Sequence, residues 1–140
     1  MNRKVEITHT AIPDAYLLKD TGLERRVQKI FEMVEAGATF IIRDLAAEFH
    51  LSPTYLQRLF KHETGVCLGV WLCEQRLQRA AYLLSNSYLS VKEITHTVGY
   101  EHPSSFIRAF ERRFLQPPAR YRKHNENHAS NAKARRTRAA

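Results

Sequence analysis

Two stretches of this chain, about fifty residues apart, carry the same arrangement of apolar and polar residues. Residues 45–51 (LAAEFHL) align with residues 94–100 (ITHTVGY), and residues 56–60 (LQRLF) align with residues 106–110 (FIRAF). Each copy indicates a short helix, a tight turn and a longer helix, with one extra residue in the second turn. This is the helix-turn-helix pattern, whose second helix suits a DNA major groove. A single match is weak, but two at matched spacing predict an all-α chain with two helix-turn-helix units.

The stretch between the two copies, about residues 68–85, is predicted to form a long linker helix. Its apolar residues have the spacing of one helical stripe, namely Cys73, Leu77, Ala80, Ala81 and Leu84. About eighteen residues would span roughly 27 Å, enough to hold two small domains apart. The apolar run at 66–73 also fits a strand, but Gly69 within it and the stripe beyond it favour a helix.

Helix start and stop signals set the bounds of the two units. Ser52 is a good N-cap and Pro53 a good first residue for a helix that ends at Gly65, so the first helix-turn-helix covers about 43–64. Ser90 and Glu93 form a capping-box pattern, and Pro103 starts a further helix, so the second unit covers about 91–113. A helix from Leu23 to Gly37 precedes both units, and residues 1–22 are expected to form an N-terminal arm.

Charge and composition restrict the class of protein. The 140 residues suit one domain or two very small ones, and six of the eight net positive charges lie in residues 119–140. Residues 124–140, which lack periodicity, are expected to form a disordered basic tail. No run is long enough for a membrane span or signal sequence, which predicts a cytoplasmic protein without membrane partners. Cys67 and Cys73 fit no zinc spacing and are expected to be reduced, and no metal or cofactor is predicted.

Exposed polar residues of the two longer helices are the candidate DNA contacts. Those expected to contact bases are Thr54, Tyr55, Gln57, Arg58, Ser104, Ser105 and Arg108. Those expected to contact phosphates are Ser52, Lys61 and Arg112. For the two serines, capping of the helix start is an equal alternative. Arg113 is expected to stabilise the fold, and the aromatic residues at helical spacing, Tyr82 among them, are expected in the core.

Together these motifs resemble the AraC/XylS family of bacterial transcription regulators. The resemblance covers about residues 23–123, and it depends on motifs in both halves: Asp44-Leu45-Ala46, Leu56-Gln57-Arg58-Leu59-Phe60-Lys61, Glu63-Thr64-Gly65, Val98-Gly99-Tyr100 and Phe106-Ile107-Arg108-Ala109-Phe110. It implies about seven helices in two helix-turn-helix subdomains, and recruitment of RNA polymerase at promoters. The short, stand-alone MarA/SoxS/Rob-like members, which have no sensor domain, are the most similar type. His50 and Leu115 depart from the family pattern by standing where glycine is usual, and Pro117 stands where a capping serine is common.

The expected partner is double-stranded DNA, bound by a monomer at an asymmetric site of roughly 15 to 20 base pairs. No small-molecule effector is expected, so control would come through the amount of protein. One alternative is an interaction module that docks on RNA polymerase, with secondary or non-specific DNA contacts. Another is a sequence-indifferent DNA-coating protein that binds through its tail. An enzyme is not predicted, because the sequence has no phosphate-binding glycine loop and no catalytic triad or carboxylate pair.

Overall fold

The computed structural model describes residues 24–138, and over that range the chain is all-α, as predicted. It has seven helices and no strand there: α1 (Arg25–Glu35), α2 (Ile42–Glu48), α3 (Pro53–Thr64), α4 (Leu68–Asn86), α5 (Val91–Thr97), α6 (Pro103–Phe114) and α7 (Pro118–Arg138). The capping signals explain the agreement, since α3, α5 and α6 begin where the sequence places their first residues. The predicted arm, residues 1–22, lies outside the described residues.

The chain divides into two compact units. The described part of the first unit runs from residue 24 to Ala38 and from Ile42 to Leu68, and the second comprises Thr39–Ile41 and the chain from Gly69 onward. The first unit therefore holds α1–α3, whereas the second holds α4–α7 apart from the first residue of α4. The predicted linker helix is present as α4, but almost all of it belongs to the second unit.

The first unit has a core built from one apolar face of each of its three helices. Six of these side chains are fully buried, namely Val27, Ile30, Leu45, Ala46, Leu56 and Phe60. The ring of Phe31 packs on the ring of Phe60 with centroids 5.7 Å apart. Because α3 packs against both α1 and α2, its orientation is fixed from two sides.

In the second unit, the apolar side of α4 forms one complete side of the core. The stripe of α4 packs with buried side chains of α5 and α6, and the cluster comprises Leu77, Ala80, Ala81, Leu84, Ile94, Val98, Phe106 and Phe110. Tyr121 of α7 closes the cluster, with its ring edge-on to Phe110 at 5.4 Å. Burial of each large apolar side chain contributes about 1.5–3 kcal/mol, so α4 stabilises this unit as well as connecting it to the first.

The two turns of the repeat have the same backbone geometry. In the first, Leu51 N donates to Ala46 O at 2.9 Å, and in the second, Tyr100 N donates to Thr95 O at 3.0 Å. The residue before each donor is left-handed, with φ of 55° at His50 and 89° at Gly99. His50 thus occupies the conformation expected of the family's glycine, and it does so at a cost of about 1 kcal/mol.

The repeat extends further than the sequence comparison indicated, because α1 corresponds to the second half of α4. The inward residues Val27, Ile30, Phe31 and Val34 of α1 precede Leu77, Ala80, Ala81 and Leu84 of α4 by fifty positions each. Each unit is therefore a three-helix repeat, with α7 added to the second. The apolar match alone did not reveal this, since the side chains on α1 are larger than the alanines on α4.

Two predictions are wrong. Residues 124–138, expected to be disordered, are helical, because α7 continues to Arg138, and every described side chain after Asn125 is exposed. From Ala119 onward the sequence has no glycine or proline, and its alanine, lysine and arginine residues favour a helix. Tyr82, expected in the core, is 66% exposed, because it lies about 100° around α4 from its buried neighbour Ala81.

Candidate nucleic-acid interface

Helix α3 begins at a strong local signal and presents a polar face to solvent. Ser52 is its N-cap, with Oγ accepting a hydrogen bond from Tyr55 N at 3.2 Å, and Pro53 is its first residue. Burial of Leu56, Phe60 and Thr64 along one side of the helix fixes its rotation. The opposite side carries the exposed predicted contact residues of this unit, namely Thr54, Tyr55, Gln57, Arg58 and Lys61.

Helix α6 has the same design with a different cap. His102 is the N-cap and makes no side-chain capping bond, Pro103 is the first residue, and Phe106 and Phe110 are the buried side. Ser104 and Ser105 therefore lie inside the first turn rather than at the cap position, which argues against the capping alternative. The exposed side carries the other predicted contacts, namely Ser104, Ser105, Arg108 and Arg112.

Arg58 and Arg108 occupy equivalent places on the two helices. Each is the sixth residue of its helix, lies two residues after a buried side chain (Leu56 or Phe106), and is exposed. Both helices also end alike, with the N–H of the left-handed residue donating to the carbonyl four residues earlier, from Gly65 to Lys61 and from Leu115 to Glu111, each at 2.8 Å. The repeat therefore presents a guanidinium group at the same register in each unit.

Several neighbouring side chains are engaged within the fold. Gln57 Nε2 donates to the Pro53 carbonyl at 3.3 Å, so its amide lies along the helix surface. Arg113 is partly buried and donates to Glu74, as predicted for a residue that stabilises the fold. These hydrogen bonds raise the pKa of Arg113. Arg113 is therefore a structural cation, in contrast to the exposed Arg112 beside it.

One residue near α3 was not predicted from the sequence. Arg26 of α1 lies with its guanidinium carbon 5.9 Å from the ring centroid of Tyr55, a candidate base contact. The sequence of α1 does not predict this contact. Helix periodicity shows which residues of a helix are buried, but not which residues of another helix lie next to an exposed one. The contact places a further cation, besides Arg58 and Lys61, beside the polar face of α3.

Between residues 24 and 138 there is no group of three or more His, Cys, Asp or Glu side chains arranged to hold a metal ion. Both cysteines are free thiols, with Cys67 exposed and Cys73 partly buried. None of the seven helices combines the length and the apolar character required to cross a bilayer.

The chain has two helix-turn-helix units, each with an exposed arginine on its second helix. These features place it in the class of helix-turn-helix DNA-binding domains. A family model described as a helix-turn-helix domain matches residues 45–124. The Msm operon regulatory protein of Streptococcus mutans is 31% identical over 102 residues, which are 73% of this chain and 36% of that protein. The chain belongs to the AraC/XylS family of helix-turn-helix transcription regulators.

Solved structures agree with this assignment. The C-terminal domain of AraT, a response regulator from Geobacillus stearothermophilus, is 27% identical with a TM-score of 0.67, covering 74% of this chain and 88% of that one. The DNA-binding domain of AdpA, a global transcriptional factor solved with a target DNA, is 28% identical with a TM-score of 0.65, covering 74% and 94%. The chain spans only part of the length of its curated relatives, for example 36% of both the Msm regulator and PocR of Salmonella typhimurium.

Proposed function

We propose that this chain binds double-stranded DNA in a sequence-specific manner, with α3 and α6 as its two recognition helices. The observation that carries the proposal is the equivalence of Arg58 and Arg108, each exposed at the sixth position of a helix whose opposite side is buried. A solvated helix face would not require the same cation at the same register twice. A guanidinium group there suits a guanine, whose O6 and N7 accept two hydrogen bonds from arginine.

The remaining exposed residues are assigned by their chemistry. Thr54 and Tyr55 offer apolar surface for a thymine methyl group, Gln57 an amide for adenine, and Ser104 and Ser105 hydroxyls for either kind of base. For Gln57, adenine replaces the 3.3 Å bond to the Pro53 carbonyl. Ser52, Lys61 and Arg112 suit phosphate oxygens, which set the position of the protein on the duplex without specifying sequence.

Two recognition helices in one chain support a monomer on an asymmetric site, since a palindrome is needed only when two identical subunits each supply one helix. The output we propose is transcription activation through recruitment of RNA polymerase, which rests on family membership alone. If the chain instead acted as a polymerase-docking module with secondary DNA contacts, Arg58→Ala would leave promoter activation largely intact.

The test is genome-wide footprinting followed by binding measurements on the best site. Arg58→Ala and Arg108→Ala should each weaken binding by about 1–3 kcal/mol and relax base preference in different halves of the site. Lys92→Ala, which removes an exposed cation of α5, is the control and should leave base preference unchanged. Unchanged preference in both arginine variants would refute the assignment of α3 and α6.

A further inference from the structure

Tyr55 is a large exposed aromatic residue in the first turn of α3, with 49% of its surface accessible. An exposed tyrosine has several rotamers, and only some of them present the ring to a base pair. Arg26 stands beside this ring at 5.9 Å, within the range of a cation–π contact. The contact therefore favours one position of the tyrosine ring before DNA binds.

Arg26 is itself held in place by a carboxylate. Its Nε lies 2.5 Å from Glu24 Oε1, and its backbone N donates to Glu24 Oε2 at 3.1 Å. Glu24 is in turn tied to α3, because its backbone N donates to Glu63 Oε2 at 3.3 Å. The chain of contacts thus begins and ends on α3, running from Glu63 through Glu24 and Arg26 to Tyr55.

The second unit lacks this arrangement. Fifty residues after Tyr55 the chain has Ser105, whose side chain is too small to need such support. Fifty residues after Arg26 it has Arg76, which donates to the carbonyl of Phe40 instead. The contact on Tyr55 is therefore a feature of the first unit alone.

We propose that Arg26 is a positioning residue for DNA recognition, which holds the Tyr55 ring toward one base pair of the site. The proposal rests on the proposed role of α3 as a recognition helix. Ordering an aromatic side chain before binding reduces the entropy lost when DNA binds. Removal of Arg26 should therefore weaken binding to the preferred sequence more than binding to other sequences. If Arg26 instead contacted a phosphate, its removal would weaken binding to all sequences alike.

The experiment measures the affinity of the full chain for its best footprinted site and for the same site with each base pair changed. Arg26→Gln should weaken binding to the best site by about two- to fivefold, which is the size of an exposed cation–π contact. It should also relax base preference at the same base pair at which Tyr55→Leu relaxes it. In the Tyr55→Leu background, Arg26→Gln should have no further effect. Arg26→Lys keeps a cation over the ring and should restore most of the preference.

Three results would overturn the proposal. Equal losses on all sequences, with a smaller salt dependence, would make Arg26 a phosphate contact. Additive effects of Arg26→Gln and Tyr55→Leu would show that the two side chains act independently. A loss in Arg26→Gln accompanied by lower thermal stability, with base preference unchanged, would make the contact purely structural. Failure of the proposed function is distinct, since the unaltered chain would then show no base preference, or would keep it in Arg58→Ala.

Discussion

Arg113 and Glu74 join α6 to α4 through three short hydrogen bonds. Arg113 Nε donates to both carboxylate oxygens at 2.9 and 2.8 Å, and Nη2 donates to Oε1 at 2.7 Å. The residues fifty positions earlier, Glu63 and Glu24, also meet, but through a carboxylate and a backbone N–H at 3.3 Å. In each three-helix repeat the last turn of the third helix is thus tied to the equivalent residue of the first helix region, Glu24 just before α1 and Glu74 within α4. The first contact uses a backbone N–H and the second an ion pair.

Removal of this ion pair should destabilise the second unit. Arg113→Ala should lower the free energy of unfolding by about 1.5–3 kcal/mol, because the pair is mostly shielded from water and charge-assisted bonds are the strong ones. The measurement is urea unfolding followed by the fluorescence of Trp71. Arg112→Ala, at the exposed neighbouring position, should change stability by less than about 0.5 kcal/mol. Equal effects of the two variants would contradict the structural role of Arg113.

Leu115 should be a site where glycine stabilises the protein. Its φ is 59°, a conformation that costs a side-chain-bearing residue about 1 kcal/mol, and it is 87% exposed, so its removal sacrifices little apolar burial. Leu115→Gly should therefore raise the unfolding free energy by about 1 kcal/mol, measured by denaturant unfolding. Leu115→Ala keeps the strain and should not stabilise.

The equivalent position in the first unit supplies the reverse substitution. Gly65 has φ 75°, and a Cβ added there would meet no atom within 4 Å. Gly65→Ala should therefore cost about 1 kcal/mol from backbone conformation alone. If Leu115→Ala stabilised as much as Leu115→Gly, exposure of the leucine rather than backbone strain would be the cause.

Many helix boundaries were predictable because short-range chemistry determines them. Ser52 caps α3, and Pro53 and Pro103 stand at the first residue of α3 and α6. The capping box of Ser90 and Glu93 is present with both of its bonds. Signals of this kind depend on residues two or three apart, which a sequence displays directly.

Other features depend on contacts distant in sequence, and the pattern did not reveal them. Tyr82 is a different case, because its aromatic character favours the core whereas the predicted stripe of α4 passes through its neighbour Ala81, which is the buried one. The contact of Arg26 with Tyr55 joins residues of two helices, and nothing in the local sequence of either indicates it. The exposure of the candidate base contacts was predictable, because they occupy the side of α3 or α6 opposite the buried stripe.

The capping box should make stability depend on acid pH. A hydrogen bond from the Ser90 backbone N–H, at 2.7 Å, lowers the pKa of Glu93 below its ordinary value of 4.5. A carboxylate whose pKa is lower in the folded state stabilises the protein above its ordinary pKa, and this contribution disappears as the pH falls through the lowered value.

Glu93→Gln should therefore melt at a lower temperature than the unaltered chain at neutral pH, and the difference should shrink to nothing in acid. The measurement is a series of thermal unfolding curves from neutral pH into the acid range. Glu101→Gln, an exposed residue outside any helix, is the control. A difference that stayed constant with pH would mean that the side-chain shape of Glu93, rather than its charge, matters.

Lys61 and Arg112 should affect affinity without affecting base preference. Both are exposed near the C-terminal ends of α3 and α6, beyond the arginines proposed to contact bases. Removing one cation from a phosphate should reduce the slope of log affinity against log salt by about 0.9. In a salt titration, Lys61→Gln and Arg112→Gln are therefore expected to weaken binding to all sequences alike. A change in preferred sequence in either variant would place that residue at a base instead.

The exposed end of α7 should bind DNA loosely through its charge. The amide of Asn125 donates to Ser85 Oγ at 2.6 Å, and every described side chain after Asn125 is exposed. That segment carries four cations near its end, Lys133, Arg135, Arg136 and Arg138, against the single acid Glu126. Replacement of all four by glutamine should weaken binding to specific and non-specific DNA alike, with base preference unchanged. It should lower the slope of log affinity against log salt by up to about 3.6. Complete loss of binding would instead favour a sequence-indifferent DNA-coating protein, because α3 and α6 would then contribute little without the charges of α7.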